Sequence, residues 1–512
     1  MTRTSPLEMH RHLRESSPFD LLIVGGGING AGIARDAAGR GLRVLLCERD
    51  DLAAHTSSAS TKLIHGGLRY LELGEFRLVR KALQEREVLL EAAPHIIRPL
   101  SFVMPQDPQL RPGWMIRAGL FLYDHLARRR WLPGSGSLDL RRHPAGAPLV
   151  PQTRRGFVYS DAWVEDARLV VLNAVDAAER GASVLTRTRL ERATREGDHW
   201  RATLSPASAP AFEVRARAVV NAAGPWVGEI LDRVLHRDAT RQLRLVKGSH
   251  IVVRRLFEHE FAYLLQNPDG RILFAIPFEH DFTLLGTTDI EYRGDPARVT
   301  IDADEIRYLC DMAGRWFGRP VDPTEIVWSY AGVRPLLDDE AGNPASVTRD
   351  YRLELDDEQP PLLTVFGGKL TTYRRLAEDA LAQLAPQLGH SARGWTRGVP
   401  LPGGDLPDAD FARFEQSVAL RWPWLPAPLR QRYAHAYGTR MTQLLQPIAS
   451  MADLGEQVLP GLYAVEIHWL VDQEFAHDAA DILWRRSRLG LHLPADAAPR
   501  LDAWLAAHAR DR

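Results

Sequence analysis

The stretch FDLLIVGGGINGAGIARDAAGRGLRVLLCE, residues 19–48, decides the expected fold. Its first six residues, Phe19–Val24, predict a short buried strand. Ala31–Gly41 predicts a helix, and Leu42–Cys47 predicts a second apolar strand. A strand, a helix and a strand in so short a stretch form a compact βαβ unit, so we expect an α/β fold that opens with parallel strands.

Three glycines between the first strand and the helix have the spacing of a dinucleotide-binding turn. Gly25 permits the tight turn, Gly27 lets a pyrophosphate approach the backbone, and Gly30 lets the helix pack closely on the strand. Glu48 ends the second strand, where it is placed to accept hydrogen bonds from ribose hydroxyls. The alternative is a structural turn with Glu48 at the surface, but the position between a strand and a helix favours dinucleotide binding.

The number of such turns indicates which dinucleotide is used. The sequence has no second GxGxxG motif. An enzyme that uses both a flavin and a nicotinamide cofactor usually needs two sites, so a single N-terminal site favours a bound FAD that the substrate reduces directly. The turn after the predicted strand Ala218–Asn221 supports this weakly, because its small residues Ala223 and Gly224 suit a close approach to the cofactor.

A polar loop follows, TSSASTKLIHGGLRY at residues 56–70. So many hydroxyl, basic and glycine residues make a poor core element and a good cofactor clamp, although a solvated loop is the alternative. Two later segments, GVRP at 332–335 and FGGKLTTY at 366–373, each place glycine beside a cation and together predict a cationic pocket. The predicted cofactor contacts in these segments are Ser58, Ser60, Lys62, His65, Gly66, Gly67, Gly332, Gly368, Lys369, Leu370 and Thr371.

Composition sets the broad class of the protein. At about 100–200 residues per domain, 512 residues predict several domains, and a formal net charge of −1 argues against nucleic-acid binding as the main role. The two cysteines, Cys47 and Cys310, allow neither a disulfide framework nor a Cys/His metal cluster. The longest uncharged apolar stretch, Leu21–Ala34, is too short to span a bilayer. We therefore expect a protein that is soluble or lies on a membrane surface.

Later segments differ in character from the parallel opening. Residues 250–287 predict an antiparallel sheet, with Asn267–Gly270 as a hairpin turn. Residues 386–408 are rich in glycine and proline and predict a linker, and the patterns beyond them predict a small helical domain. Residues 114–132 combine apolar and basic side chains. This pattern is typical both of a segment that contacts lipid and of an amphipathic helix packed on the core, and the sequence does not decide between them. The membrane-contact candidates are Trp114, Phe121, Arg128, Arg129 and Arg130.

Several long motifs resemble one known family, the FAD-dependent glycerol-3-phosphate dehydrogenases of aerobic bacteria. They are GGGINGAGIARDAAGRGL, TSSASTKLIHGGLRYLE, NAAGPWV, KGSHIVV, GTTDIEY, GVRPL and FGGKLTTYR. The resemblance implies a glutathione-reductase-like, Rossmann-type FAD domain with an inserted antiparallel β substrate domain and a C-terminal helical domain. The expected boundaries are 19–105, 155–240 and 325–385 for FAD binding, 106–154 and 241–324 for the substrate region, 386–408 for the linker and 409–512 for the helical domain.

The resemblance also implies a reaction, the oxidation of sn-glycerol 3-phosphate to dihydroxyacetone phosphate with hydride transfer to FAD. His250 is the expected base, with His65 as its rival, and Arg334 is expected to polarise the substrate oxygen. The candidates for binding the substrate phosphate are Arg69, Tyr70, Arg349 and Lys369. Lys369 can also serve the flavin, and Arg349 can instead form an ion pair on a turn with its neighbour Asp350.

Partners and location follow from the same resemblance. We expect ubiquinone as electron acceptor, contact with anionic membrane lipid, a homodimer, no nucleic acid and no metal. The expected location is the cytoplasm, with peripheral attachment to the inner face of the cytoplasmic membrane. A glycerol-3-phosphate oxidase that uses oxygen is the nearest alternative, and a flavin-bound metabolite sensor without turnover is a more remote one.

Overall fold

The computed structural model describes residues 17–107, 109–237, 243–337, 350–446 and 448–508. The strands, in chain order, are β1 (Phe19–Val24), β2 (Val44–Cys47), β3 (Leu63–Ile64), β4 (Ile97–Pro105), β5 (Gly136–Asp139), β6 (Arg155–Val164), β7 (Ser183–Leu185), β8 (Thr188–Glu196), β9 (His199–Pro206), β10 (Phe212–Asn221), β11 (Leu243–Arg254), β12 (Ala262–Gln266), β13 (Ile272–Phe278), β14 (Phe282–Gly286), β15 (Ile290–Glu291), β16 (Ile326–Leu337), β17 (Arg352–Asp356), β18 (Leu362–Phe366), β19 (Gln457–Leu459) and β20 (Leu462–Tyr463).

Helices of ten or more residues are numbered in the same way. They are α1 (Ile28–Gly39), α2 (Phe76–Ala92), α3 (Gly113–His125), α4 (Asp166–Glu179), α5 (Ala303–Phe317), α6 (Tyr373–Leu388), α7 (Phe411–Arg421), α8 (Ala427–Tyr437), α9 (Ala464–Gln473) and α10 (Ala497–His508). None of them, within the part of the chain that is described, combines the length and the apolar character needed to cross a bilayer.

The first sheet has a parallel centre in the order β18-β10-β1-β2-β7, with β17 antiparallel at one edge and the β8–β9 hairpin beside β10. Helix α1 connects β1 to β2 and packs between α4 and α6. The small residues of α1 permit this close packing, since a Cβ at Gly32 would lie 2.7 Å from the Tyr373 ring. The predicted βαβ unit is confirmed, with the helix beginning at Ile28 rather than Ala31.

The second sheet is almost wholly antiparallel and contains the predicted block from β11 to β14. The hairpin turn Asn267–Gly270 lies between β12 and β13, and Gly270 has a φ of +78°. This sheet also takes β3, β4, β6 and β16 from segments that the sequence assigned to FAD binding. The chain therefore crosses between the two sheets more often than the predicted boundaries allow, because local patterns do not show which strands pair.

The C-terminal part has its own apolar core, which includes Tyr433, Leu454 and Ile467. The predicted α/β architecture, with an antiparallel sheet and a helical C-terminal part, is confirmed. Residues 395–406, inside the predicted linker, are packed rather than extended. The Trp395 indole donates to the Asp36 carbonyl at 3.0 Å, and Leu401 is buried.

Candidate active site

A cavity of about 330 Å³ opens where the carboxyl ends of β1, β2, β10 and β18 meet β16 of the second sheet. Its walls include Val24 and Cys47 at the ends of β1 and β2, Ala222 and Gly367 directly after β10 and β18, and Gly332 of β16. Ligands of open α/β sheets bind outside the carboxyl ends of the strands. The cavity therefore has the position expected of a cofactor site.

The glycine turn at one end of the cavity is as tight as its spacing predicts. Gly25 has a φ of +111°, and a Cβ on it would lie 2.6 Å from the Ala222 carbonyl oxygen. A Cβ on Gly30 would lie 1.9 Å from the Gly25 carbonyl oxygen. Gly25 and Gly27 line the cavity, whereas Gly30 allows α1 to begin directly behind the turn.

Glu48 lies at the end of β2 and lines the same end of the cavity. One carboxylate oxygen accepts the Gly26 amide at 2.6 Å, and the other accepts the Asp50 amide at 2.9 Å. Burial raises the pKa of Glu48, and these two amides oppose that effect. Each carboxylate oxygen has more than one lone pair, so a ribose hydroxyl can still donate to it.

Aromatic and basic side chains beside Glu48 were not singled out from the sequence. The Arg49 guanidinium lies 4.0 Å from the centre of the Trp226 ring, and the centre of the His55 ring lies 4.7 Å from it. All three line the cavity. Trp226 belongs to the NAAGPWV motif, but nothing in the neighbouring sequence predicts that its ring lies beside Arg49 and His55.

Two cations also line the cavity. Arg334 on β16 donates to the Thr287 hydroxyl at 2.8 Å and forms an ion pair with Asp289. The Lys369 ammonium donates to the His65 carbonyl at 2.6 Å and lies over the Tyr70 ring. Arg334, Lys369, Tyr70 and His65 line the cavity together, although they are far apart in sequence.

His250 lies behind the cavity wall rather than in it. Its ring is fully buried, stacks on Tyr330 at 4.8 Å, and places Nε2 3.0 Å from the Thr61 hydroxyl, which does line the cavity. Nδ1 has no hydrogen-bond partner among the described residues. Burial, with smaller effects from Arg334 and Lys62, holds the pKa of His250 well below its usual value. The ring is therefore neutral, and Thr61 connects it to the cavity.

The structure separates the predicted contacts into two groups. Those that line the cavity are Gly25, Gly27, Glu48, Ser60, His65, Tyr70, Ala223, Gly224, Gly332, Arg334, Gly368, Lys369 and Leu370. Those that do not are Gly30, Ser58, Lys62, Gly66, Gly67, Arg69, His250 and Thr371. Arg349 lies outside the described residues. The second group mostly supports the wall: Thr371, for example, accepts from the His65 amide at 3.2 Å.

Lys62 differs most from its predicted role as a cofactor contact. Its ammonium is fully buried, donates to Asp166 at 2.9 Å and accordingly faces away from the cavity. Arg488 of the C-terminal part also bonds Asp166, at 2.7 Å. Burial lowers the pKa of Lys62 to about 8, and Arg488 adds to this while Asp166 opposes it. A single sequence does not show that Lys62 and Arg488 bind the same carboxylate.

The described ranges contain no cluster of three or more His, Cys, Asp or Glu residues placed to hold a metal ion. His477 and Asp478 contact the turn between β7 and β8: the His477 ring lies 3.1 Å from the Thr186 hydroxyl, and Asp478 pairs with Arg187 at 2.7 Å.

The glycine turn with Glu48 suits a nucleotide, and Arg334 and Lys369 suit an anion beside a redox ring; this combination in one cavity indicates a dinucleotide-dependent oxidoreductase. Comparison with known families agrees: the family described as FAD dependent oxidoreductase matches residues 20–374. The chain belongs to the FAD-dependent oxidoreductase family, and its cofactor is FAD. A second family, the C-terminal domain of alpha-glycerophosphate oxidase, matches residues 395–509.

Individual relatives narrow the comparison. A glycerol-3-phosphate dehydrogenase of Pseudomonas aeruginosa is 54% identical over 489 residues, which are 95% of each chain. A D-erythritol 1-phosphate dehydrogenase of Brucella abortus is 49% identical over 94% of this chain and 96% of that protein. A solved glycerol-3-phosphate dehydrogenase from Bacillus halodurans, complexed with FAD, superposes with a TM-score of 0.79 at 26% identity, covering 98% of this chain and 92% of that one.

Proposed function

We propose that this protein oxidises sn-glycerol 3-phosphate to dihydroxyacetone phosphate and passes the electrons to ubiquinone. The observation that carries the proposal is that Arg334 and Lys369 line the same cavity as the Gly25–Gly27 turn. Two cations are what a phosphate monoester and a developing alkoxide need. Glu48 and the glycine turn would hold the adenosine part of FAD, and FAD when bound supplies the hydride acceptor.

Proton removal from the substrate hydroxyl is assigned to Thr61 and His250 acting together. Thr61 faces the cavity and lies 3.0 Å from the His250 Nε2 atom, so its hydroxyl can take the substrate proton while it gives its own to the imidazole. We expect Thr61→Val and His250→Gln to lower kcat by about 100-fold or more with FAD retained, since general base catalysis contributes about 10²–10⁴-fold.

The pH profile of kcat separates this assignment from its rivals. Thr188→Val is the matched control, because Thr188 lines the nucleotide end and donates to the Thr186 carbonyl. A changed profile in Thr61→Val and His250→Gln alone supports the relay. An unchanged profile in both would move the role to His65 or to water.

The first experiment on the reaction itself is anaerobic reduction. Glycerol 3-phosphate added to the purified holoenzyme under nitrogen should bleach the visible flavin band. The same titration with erythritol 1-phosphate tests the substrate, because a relative at 49% identity bears that name. We expect a higher kcat/KM for glycerol 3-phosphate, and a reversed ratio would refute the proposed substrate.

The electron acceptor is tested by reoxidation of the reduced enzyme. With a ubiquinone analogue in lipid vesicles, the flavin band should return much faster than with dissolved oxygen. Rapid reoxidation by oxygen with release of hydrogen peroxide would instead make the protein an oxidase.

We propose that helix α3 provides the contact with anionic lipid. Trp114 and Phe121 on this helix are 75% and 55% exposed, whereas Ile116 and Leu120 face the core. Exposed aromatic side chains on an amphipathic helix suit insertion at a membrane surface. Of the basic run, Arg128 is exposed, while Arg129 pairs with Asp124 and Arg130 with Glu91. We therefore assign most of the attraction to the apolar face.

Vesicle flotation with anionic phospholipid tests this surface. Trp114→Ser with Phe121→Ser should release the protein, and replacement of the three arginines with glutamate should weaken binding further at low salt. Leu420→Ser is the control, since Leu420 is an exposed apolar residue on α7. Binding that survives the double substitution would remove α3 from the proposal. The proposed homodimer on the inner face of the cytoplasmic membrane is tested separately by light scattering and by cell fractionation.

A further inference from the structure

The peptide group between His65 and Gly66 is held from both sides. Its carbonyl accepts the Lys369 ammonium at 2.6 Å, and its N–H donates to the Tyr123 hydroxyl at 2.8 Å. This peptide bond is not among the cis bonds of the chain, so the carbonyl and the N–H point in opposite directions. Lys369 and Tyr123 therefore hold opposite edges of one rigid plane.

Tyr123 is itself fixed by a buried charge cluster. Its hydroxyl donates to Asp161 at 2.7 Å, and Asp161 pairs with Arg86 at 2.6 Å. Asp161 and Tyr123 are each only 2% exposed. Burial raises the pKa of Asp161, and the charges of Arg86 and Lys369 are among the groups that lower it again. The tyrosine hydroxyl thus has one defined donor role, to Asp161, and one defined acceptor role, from Gly66.

The glycine beside this peptide makes the hold necessary. The plane turns about the ψ of His65 and the φ of Gly66, and glycine at position 66 lets that φ change at little cost. If the peptide plane turned over, its N–H rather than its carbonyl would face the ammonium of Lys369. A Cβ on Gly66 would lie 2.6 Å from the Tyr123 hydroxyl. A larger residue at position 66, which would restrict the backbone, therefore does not fit.

We propose that Tyr123 is a positioning residue for the reaction. It holds the His65–Gly66 peptide so that the His65 carbonyl keeps the Lys369 ammonium in the cavity, where it would bind the substrate. The inference rests on the proposed function for the role of Lys369. Tyr123 does not line the cavity and lies on α3, on the side opposite the exposed residues.

A double-mutant cycle tests this assignment. Tyr123→Phe should raise the KM for glycerol 3-phosphate by about 10-fold, the value of one hydrogen bond, with kcat changed by less than about 3-fold. In a Lys369→Met background the same change should add almost nothing, because Tyr123 acts through Lys369. Equal effects in both backgrounds would overturn the proposal.

Two further variants serve as controls for Tyr123→Phe. Tyr437→Phe deletes a matched hydroxyl, since Tyr437 donates to Glu466 at 2.7 Å and Glu466 pairs with Arg432, and it should leave KM unchanged. Asp161→Asn keeps the Tyr123 hydroxyl but weakens the acceptor that fixes it, and it serves if Tyr123→Phe loses its flavin. Its KM should rise in the unaltered background and change little in Lys369→Met, and an equal rise in both backgrounds would refute the role of Tyr123.

Bleaching of the flavin distinguishes failure of the proposed function from failure of the role proposed for Tyr123. If glycerol 3-phosphate fails to bleach the flavin of the unaltered holoenzyme, the substrate is wrong. The cycle is then run with the phosphorylated polyol that does bleach it, and additivity there would still refute the positioning role.

Discussion

The Glu48 carboxylate shows how one residue joins the backbone to a ligand. It accepts the Gly26 amide inside the glycine turn, so the group that would bind ribose also fixes the turn that would bind pyrophosphate. We expect Glu48→Gln to weaken FAD binding by about 10–100-fold, because a hydrogen bond to a charged group contributes about 1.5–3 kcal/mol. Reconstitution of the apoprotein with FAD measures this. Unchanged affinity would mean that Glu48 only braces the turn.

His95 predicts how stability depends on pH. It is fully buried, and burial, with Arg168 and His435, lowers its pKa to about 3. The unfolded chain binds this proton near pH 6.5. Between about pH 6.5 and 3 the unfolded state therefore holds more protons, so the free energy of unfolding falls as the pH falls. His95→Gln should flatten this slope in thermal unfolding followed against pH, and a slope as steep as that of the parent would contradict the assignment.

At this scale the sequence predicts residues whose role depends on local spacing. Gly25, Gly27 and Glu48, which line the cavity, can be predicted from the motif because the turn and the next strand are contiguous. The sequence analysis does not single out Thr61 and Tyr123, because the roles proposed for them depend on His250 and Gly66, which long-range packing brings to them. The sites of Arg334 and Lys369 are found only because each stands in a glycine-rich motif.

At the scale of elements, the segment after α6 closes over α1. Trp395 lies against Gly39, and the Arg35 guanidinium donates to the carbonyls of Val399 and Pro400 at 3.1 Å. The glycines and prolines that predict a linker here allow a tightly folded path instead. Composition cannot distinguish the two cases, because both need a chain without regular secondary structure.

The packing at Gly39 can be tested by the effect of Gly39→Ala on stability, which we expect to be opposite to the usual effect of this substitution in a helix. Alanine is normally about 1 kcal/mol better than glycine within a helix. At Gly39, however, a Cβ would lie 1.9 Å from the Trp395 ring, so we expect Gly39→Ala to destabilise the protein by about 1–3 kcal/mol. Gly119→Ala on α3 is the control, since nothing lies within 4 Å of a Cβ there. A thermal midpoint of Gly39→Ala at or above the parent value would refute the packing argument.

At the scale of the whole molecule, three arginines of the C-terminal part form ion pairs with carboxylates near the cofactor cavity. Arg486 binds Asp51 with both terminal nitrogens, at 2.6 and 2.8 Å, and Arg485 binds the same carboxylate. Arg488 binds Glu165 and Asp166. Asp51 and Lys62 bracket the loop that carries Thr56, Ser60 and Thr61 to the cavity wall. The C-terminal part therefore braces the cofactor site, a role that the sequence left open.

We expect Arg488→Met to destabilise the protein by about 3–5 kcal/mol, because it leaves the buried Asp166 with Lys62 alone and removes the arginine partner of the partly buried Glu165. Flavin release should then occur at a lower temperature than in the parent. Arg500→Met is the control: its pair with Asp496 is half exposed and should contribute about 0–1 kcal/mol. Equal losses in the two variants, measured by calorimetry and flavin fluorescence, would show that Arg488 does not brace the site.

The bracing arginines also set an order of events during synthesis. A chain leaves the ribosome from its N-terminus, and its domains fold in that order. Every strand that lines the cavity has emerged well before residue 488, yet Asp51 and Asp166 lack their arginine partners until then. A nascent chain of about 400 residues would thus carry a complete glycine turn beside an unbraced loop. We expect FAD to be retained only once residues 485–488 have emerged, so a chain released before that point would lack its cofactor.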